Sequence, residues 1–148
     1  MPHERDQWLR NVKAVEREYN AARFAVERTL DQARKDPTIL RTDVETAHLV
    51  TTLSGLEGTY IVRLYAVFEE ALRLFWASLR PTNPPMHDLI DGVAANRGTP
   101  DIDKQNTHAV REYRNSLVHG TEDEIEPITI PVCRSHLCKF LSRLPRQW

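Results

Sequence analysis

The chain has 148 residues, of which 41% are hydrophobic and 28% charged, and its formal net charge is −1. These values are typical of one soluble globular domain with a buried core. They exclude nucleic-acid binding through overall charge, so any such binding needs a local basic patch. No apolar run approaches the roughly 20 residues of a membrane span. Because the N-terminus is charged and the chain has only two cysteines, we expect a cytoplasmic protein without membrane contact.

The first predicted element is a long amphipathic helix from about Asp6 to Arg34. Glycine is scarce, at 5 residues, and runs typical of strands are nearly absent, so we expect a mostly helical chain. Apolar residues recur at spacings of three and four, as on one buried helix face: Trp8, Val12, Val15, Tyr19, Ala22, Val26, Leu30 and Ala33. Asp36-Pro37 ends the helix, because the residue before a proline disfavours the α conformation.

Two further helices are predicted before the proline-rich connector at residues 81–85. Thr42 to Glu45 match a capping box that starts the second helix, and Gly55 and Gly58 interrupt or bend its path. The third helix runs from about Thr59 to Leu79. Two apolar sets repeat in it every seven residues, which favours packing in a helical bundle: Ile61, Phe68 and Phe75, and Tyr65, Leu72 and Leu79.

Three more helices are predicted after this connector. A short helix from about Met86 to Asn96 stops near Gly98, and a longer one runs from about Asp103 to His119, with Gly120 in the C′ position. An acidic loop and a short extended piece at 128–130 follow. Pro131 suits the first turn of a last helix, whose apolar side is formed by Cys133, Leu137, Phe140, Leu141 and Leu144. We therefore expect one all-α domain over residues 1–148, an up-and-down bundle of about five to six helices.

The residues Arg114 to Gly120 carry the most informative chemistry of the chain. Arginine is a forked, permanently charged phosphate binder, and histidine is the side chain best suited to moving protons near neutral pH. Arg114 falls within the apolar helix face, between Val110 and Val118, where a charge needs a partner or a cleft. Two interpretations stay open: a structural arginine bonded to a buried carboxylate, or an arginine facing a cleft. For His119, the alternative to catalysis is an interaction with the helix dipole.

Helical geometry separates the two side chains. Arg114 and His119 are five residues apart, so an ideal helix directs them about 140° apart. Three arrangements could bring both to one phosphate. The long arginine stem could reach around the helix, the backbone could turn at the helix end, or two copies of the helix could face each other across a dimer axis.

The stretch from Arg114 to His119 resembles the R-x4-H motif of HEPN domains, including the polar residue, Asn115, that commonly follows the arginine. HEPN domains are small all-α bundles with this motif near the end of a late helix. In them, the motif follows a long aromatic-rich helix like Ile61 to Trp76. The resemblance in helix order covers about residues 5–144, whereas only the motif matches residue by residue.

The resemblance implies a metal-independent endoribonuclease, a toxin or defence component whose site lies at a homodimer cleft. His119 would act as general base on the ribose 2′-OH or as general acid on the leaving 5′-oxygen. Arg114 would hold the scissile phosphate, and Asn115 would orient the phosphate or the imidazole. The expected partners are an RNA substrate, a second copy of the chain, and a cognate antitoxin or regulatory protein; no cofactor is expected. The alternatives are a non-catalytic HEPN-like module that binds RNA or a protein, and a helical scaffold with a structural Arg114.

Two features depart from this pattern. One HEPN subgroup, which pairs with nucleotidyltransferase antitoxins, has a tyrosine two residues after the histidine, where this chain has Thr121. Regulation by adenylylation of that tyrosine is therefore not supported. An acidic loop also follows the histidine closely and would repel RNA, although it could raise the pKa of the histidine or bind a basic partner; it contains Glu122, Asp123, Glu124 and Glu126.

Four arginine and lysine residues are candidate contacts for the RNA backbone: Arg111, Arg134, Lys139 and Arg143. The last three belong to a C-terminal segment without acidic residues. The alternative for this segment is a solvated helix face.

Two other groups of residues are open to a functional interpretation. Glu69 could neutralise and orient Arg114 from a facing helix, or it could form an ordinary i,i+4 pair with Arg73. Cys133, His136 and Cys138 cluster, but a zinc site needs about four ligands, so we expect core packing and no metal site.

Overall fold

The computed structural model describes residues 1–120 and 124–148. Within those residues the chain forms five α-helices, one short 3-10 turn and no strand, so the predicted all-α bundle is confirmed. The helices are α1 (Arg5–Lys35), α2 (Thr46–Leu79), α3 (Met86–Arg97), α4 (Asp101–His119) and α5 (Ile130–Leu141), and the 3-10 turn is Pro37–Ile39. No helix in the described part of the chain is both long and apolar enough to cross a membrane.

Helix α2 is the central element of the bundle. It packs against α1, α3, α4 and α5, and its buried side chains are Ile61, Leu64, Tyr65, Phe68, Ala71, Leu72 and Phe75. Five of the six residues in the two predicted seven-residue repeats are therefore buried, whereas Leu79 is exposed at the helix end. The core continues into α5 through Cys133, Leu137, Phe140 and Leu141, as the apolar pattern predicts.

The prediction of separate second and third helices is wrong. One helix of 34 residues runs through Gly55 and Gly58 without interruption. A Cβ at Gly58 would lie 3.3 Å from Leu117 Cδ2, so this glycine lets the end of α4 approach α2 closely. A glycine in a helix costs about 1 kcal/mol relative to alanine, which packing against neighbouring helices offsets.

The structure also revises two local predictions. The predicted capping box at Thr42 to Glu45 does not start a helix; α2 begins at Thr46, and the Glu45 backbone N–H donates to His48 Nδ1 at 3.0 Å. A histidine thus supplies the capping acceptor that the box pattern assigns to glutamate or glutamine. Of the predicted extended piece at 128–130, Thr129 has extended backbone, with φ −69° and ψ 156°, whereas Ile130 is already the first residue of α5, with Pro131 in its first turn.

Candidate functional site

Helix α4 carries the motif, and the burial of its side chains changes along its length. Its first turn has Asp101 and Asp103, whose charges favour a helix N-terminus. Thr107 and Val110 are fully buried. Beyond Tyr113 the helix emerges from the core, so the motif lies where α4 meets the protein surface.

Arg114 is half-buried between Asn115 and the aromatic ring of Tyr65. Its Nη1 donates to Asn115 Oδ1 at 3.1 Å, and its Cζ lies 5.5 Å from the centroid of the Tyr65 ring. Its Nε is buried and has no hydrogen-bond partner in the part of the chain that the structure describes. No carboxylate of residues 1–120 or 124–148 forms an ion pair with Arg114, so the interpretation as a structural arginine bonded to a buried carboxylate is not supported. Arg114 and Asn115 are in direct contact.

Glu69 does not pair with Arg114. Its carboxylate accepts from Arg73 Nε and Nη2 at 2.9 Å each, which is the i,i+4 alternative. Glu69 nevertheless affects the same region, because burial, with a further contribution from the Glu69 charge, raises the pKa of Tyr65. The arginines at 73, 111 and 114 oppose this rise. Tyr65 thus lies in the field of three guanidinium groups and one carboxylate.

His119 is the last residue of α4 and is exposed. The two residues before it, Leu117 and Val118, are 40% and 45% exposed although they are apolar. Gly120 ends the helix with φ 69° and ψ 160°, a combination that glycine adopts almost alone. The glycine at the motif end is therefore required by the backbone, and it fixes the direction in which the chain leaves His119.

Within one chain the Arg114 side chain bonds to Asn115, and among the described residues no hydrogen bond joins it to His119. Helix α4 stays α-helical up to His119, so the backbone does not turn between them. The two Cα atoms are separated by about 7.5 Å along the axis and about 140° around it. Of the three arrangements considered above, a turn of the backbone before His119 is therefore wrong. A long reach by Arg114 and a second copy of the helix remain.

A surface groove of about 550 Å³ lies between α2 and α4 on another side of the motif. Its lining includes Gly55, Gly58, Tyr113, Leu117 and Ile128. No arginine or histidine is among the described residues that line it, so the groove is not where the predicted site residues meet.

The four candidate RNA contacts differ in how far they are already engaged. Arg111 donates to His108 Nδ1 at 3.3 Å, and its side chain is 17% exposed. Arg134 forms an ion pair with Glu16 at 2.9 Å, and Arg143 lies 4.0 Å from Asp103. Lys139 is exposed and forms no ion pair with any residue in 1–120 or 124–148.

The acidic loop after the motif is described only in part. Glu124 and Glu126 are exposed. Thr121, Glu122 and Asp123 lie outside the described residues.

The two cysteines of α5 are buried or partly buried. Cys133 is fully buried and Cys138 half-buried. Burial raises the pKa of Cys133 to about 12 and also raises the pKa of Cys138. A thiol that stays protonated is a poor metal ligand, in agreement with the prediction that these residues pack in the core.

One cluster of titratable side chains was missed by sequence reasoning. His87, Asp91 and His108 place their ligand atoms within 4.8 Å of one another at the α3–α4 contact. The hydrogen bond from His108 lowers the pKa of Asp91 below its ordinary value. The available signal was the spacing of His87 and Asp91, which places them on one face of a helix; the third member is 17 residues further on.

Comparison with protein-family models, with curated proteins and with solved structures finds no match to this chain. The likeness to HEPN domains therefore rests on residues 114–119 and on the order of the helices. The functional conclusion depends on the geometry of those residues.

Proposed function

We propose that the protein is a metal-independent endoribonuclease of the HEPN type, acting as a toxin or defence component. The observation that carries the proposal is the environment of the Arg114 guanidinium. This group is held on the ring of Tyr65, bonded to Asn115, and unpaired with any carboxylate of residues 1–120 and 124–148. A half-buried guanidinium without an anion is costly, and a phosphate would provide the missing charge and acceptors.

The chemistry follows from the residue types. The RNA 2′-oxygen attacks the adjacent phosphorus while its proton passes to a base, and the 5′-oxygen leaves as it gains a proton. His119 can serve as that base or as that acid, a role that contributes typically 10²–10⁴-fold. Arg114 stabilises the charge that develops on the phosphate oxygens. The products are a 2′,3′-cyclic phosphate and a 5′-hydroxyl.

A second copy of the chain completes the site in this proposal. Arg114 and His119 diverge on a straight α4, so a two-fold axis at the end of α4 would bring the arginine of one chain towards the histidine of the other. Leu117 and Val118 lie between them in sequence and leave apolar surface exposed, as expected for side chains that a partner covers.

Fewer basic residues are free to contact RNA than the sequence predicts. Arg134 and Arg143 already face Glu16 and Asp103, so their contribution to RNA binding is small in this proposal. Arg111 is also engaged, since it bonds to His108, lies 3.6 Å from Glu112 and is only 17% exposed. Lys139 therefore remains as the candidate backbone contact that has no ion pair with any described residue.

The test is cleavage of RNA in EDTA by the wild type and by His119→Ala, with His48→Gln as a matched control. His48 lies in the first turn of α2, outside the motif. We expect cleavage by the wild type and the control, with cyclic-phosphate ends, and a loss of at least about 100-fold in His119→Ala. Equal cleavage by all three proteins would overturn the proposal. RNA binding without cleavage would instead support the non-catalytic module.

Expression in cells extends the test to a protein that a partner holds inactive. Growth arrest by the wild type and not by His119→Ala supports the proposal. If neither protein cleaves RNA or arrests growth, the catalytic assignment is wrong.

Co-expression of two inactive variants tests the shared site. A mixed dimer of Arg114→Gln and His119→Ala chains still holds one intact arginine and one intact histidine. We expect it to recover cleavage that neither variant shows alone. A monomer in solution, or no recovery in a verified mixed dimer, contradicts the shared site.

A further inference from the structure

The contact between α3 and α4 holds a compact group of nitrogen and oxygen ligands. His87 and Asp91 are four residues apart on α3 and lie on the same face of that helix. His108 projects from α4 against them. Its Nε2 is 2.7 Å from Asp91 Oδ1, and His87 Nδ1 is 3.6 Å from Asp91 Oδ2.

The spacing of these atoms suits a single small cation. Ligands at about 2.0–2.1 Å from a tetrahedral Zn²⁺ lie about 3.3 Å from one another. The distance from His108 Nε2 to Asp91 Oδ1 is below this value and that from His87 Nδ1 to Asp91 Oδ2 is above it, and the ligand atoms of all three residues lie within 4.8 Å of one another. The two imidazole rings are stacked, with centroids 4.6 Å apart and planes 29° apart. Because the lone pair of a ring nitrogen lies in the plane of its ring, the more exposed His87 must turn out of the stack before both nitrogens can bind one ion.

The exposure of the three side chains also suits a site that loads from solvent. His108 is 16% exposed and is fixed by its neighbours, whereas His87 is 56% exposed and free to adjust. Asp88 adds a second carboxylate, 3.3 Å from His87 Nδ1. Imidazole nitrogens with one carboxylate are the donor set of zinc and related first-row dications, whereas magnesium and calcium prefer oxygen.

We propose that His87, Asp91 and His108 bind one transition-metal dication, with Zn²⁺ the best matched. Three protein ligands leave at least one coordination position to water. The ion joins α3 to α4 one turn before Arg111. None of the three proposed ligands has a role in the proposed cleavage chemistry, and the EDTA assay above removes the ion, so failure of either proposal leaves the other intact.

Metal binding has a consequence for Arg111. At present Arg111 Nε donates to His108 Nδ1, so the neutral ring carries its proton on Nε2 and donates it to Asp91. When Nε2 binds the ion instead, the ring proton moves to Nδ1. Arg111 must then release the ring, because two N–H groups cannot share one hydrogen bond.

The test is titration of the full chain with Zn²⁺ and, separately, with Co²⁺, whose visible spectrum reports its ligands. The variants are His87→Ala and Asp91→Asn, with Cys138→Ser as the matched control for the group on α5. Removal of an outer-shell partner of a metal ligand typically costs 10–100-fold in affinity. We therefore expect each ligand variant to lose at least about 100-fold, while the control keeps wild-type affinity.

His87→Ala keeps the fold testable, since His87 is largely exposed, and a circular dichroism spectrum checks it. A saturable 1:1 complex that His87→Ala and Asp91→Asn both abolish supports the site. Wild-type affinity in both variants, a loss in Cys138→Ser alone, or no saturable binding by the wild type overturns it. Saturating Zn²⁺ should also raise the melting temperature of the wild type and not that of His87→Ala.

Discussion

The guanidinium of Arg114 lies over the ring of Tyr65, with Cζ 5.5 Å from the ring centroid. Tyr65 is 1% exposed and belongs to the central part of the core. A cation over an aromatic face gains about 0.5–2 kcal/mol. The core helix α2 thus holds the side chain that α4 supplies, and the ring rather than the hydroxyl makes the contact.

Replacing Tyr65 by phenylalanine tests this division of roles. The Tyr65 hydroxyl is buried without a hydrogen-bond partner in the described chain, so Tyr65→Phe should raise the free energy of unfolding by up to about 1 kcal/mol. Tyr65→Leu removes the ring beneath Arg114 and should lower the same quantity by at least about 2 kcal/mol. Urea denaturation measures both. A clear loss of stability in Tyr65→Phe would mean that the hydroxyl is hydrogen-bonded.

Glu57 joins three helices through one carboxylate. Its Oε2 accepts from Tyr19 OH of α1 at 3.1 Å, and its Oε1 accepts from the Ile130 backbone N–H at the start of α5 at 3.2 Å. Glu57→Ala leaves both donors without this acceptor and should cost about 1–3 kcal/mol in the free energy of unfolding. Glu57→Gln, which keeps one acceptor, should cost less. Equal losses in the two variants, measured by thermal denaturation, would refute this account.

The stability of the fold should fall on mild acidification because of His136. Burial, with a smaller contribution from Lys139, lowers the pKa of His136 from its ordinary value of 6.5, while Asp103 opposes this. The unfolded chain therefore takes up the proton first. Stability is unaffected above about pH 6.5 and is lost as the pH falls below that value.

The variant His136→Gln isolates this effect. Its free energy of unfolding should decline less than that of the wild type between pH 7 and pH 5.5, as measured by chemical denaturation at each pH. Parallel declines in the two proteins would assign the acid sensitivity to other groups.

Two helical glycines should respond to alanine in opposite directions. A Cβ at Gly55 meets nothing within 4 Å, whereas one at Gly92 would lie 2.8 Å from the Trp76 ring. Gly55→Ala should stabilise the protein by about 0.5–1 kcal/mol through helix propensity. Gly92→Ala should destabilise it by about 1–3 kcal/mol, because the tryptophan must move. Melting temperatures of the two variants decide the matter, and a rise in both would show that Trp76 adjusts without cost.

The sequence predicts the fold well where burial dictates the pattern. The seven-residue repeats in α2 and the apolar side of α5 can be recognised in the sequence, because a long helix face that is buried requires apolar residues at regular spacing. The error at Gly55 and Gly58 has a physical cause. Local propensity favours a break there, but Leu117 packs against Gly58 from a part of the chain 59 residues away.

The candidate site is predicted only in part. The sequence proposes Arg114, Asn115 and His119 as site residues and predicts the angle between Arg114 and His119, but it does not predict the contact of Arg114 with Asn115, because adjacent residues on a helix do not face each other. It does not identify Tyr65 as the support of Arg114, since any of several core aromatics could face α4. The pair formed by Glu69 with Arg73 rather than with Arg114 depends on side-chain packing, which local spacing leaves open.

Helix α2 is continuous, but its two halves differ in how strongly packing stabilises them. All of its buried residues lie between Ile61 and Phe75, and no residue from 46 to 60 is buried. Amides in the second half should therefore exchange with deuterium only through global unfolding, whereas those of the first half should exchange through local opening. The boundary of cooperativity thus falls next to Ile61, three residues after Gly58, within a helix that is geometrically unbroken.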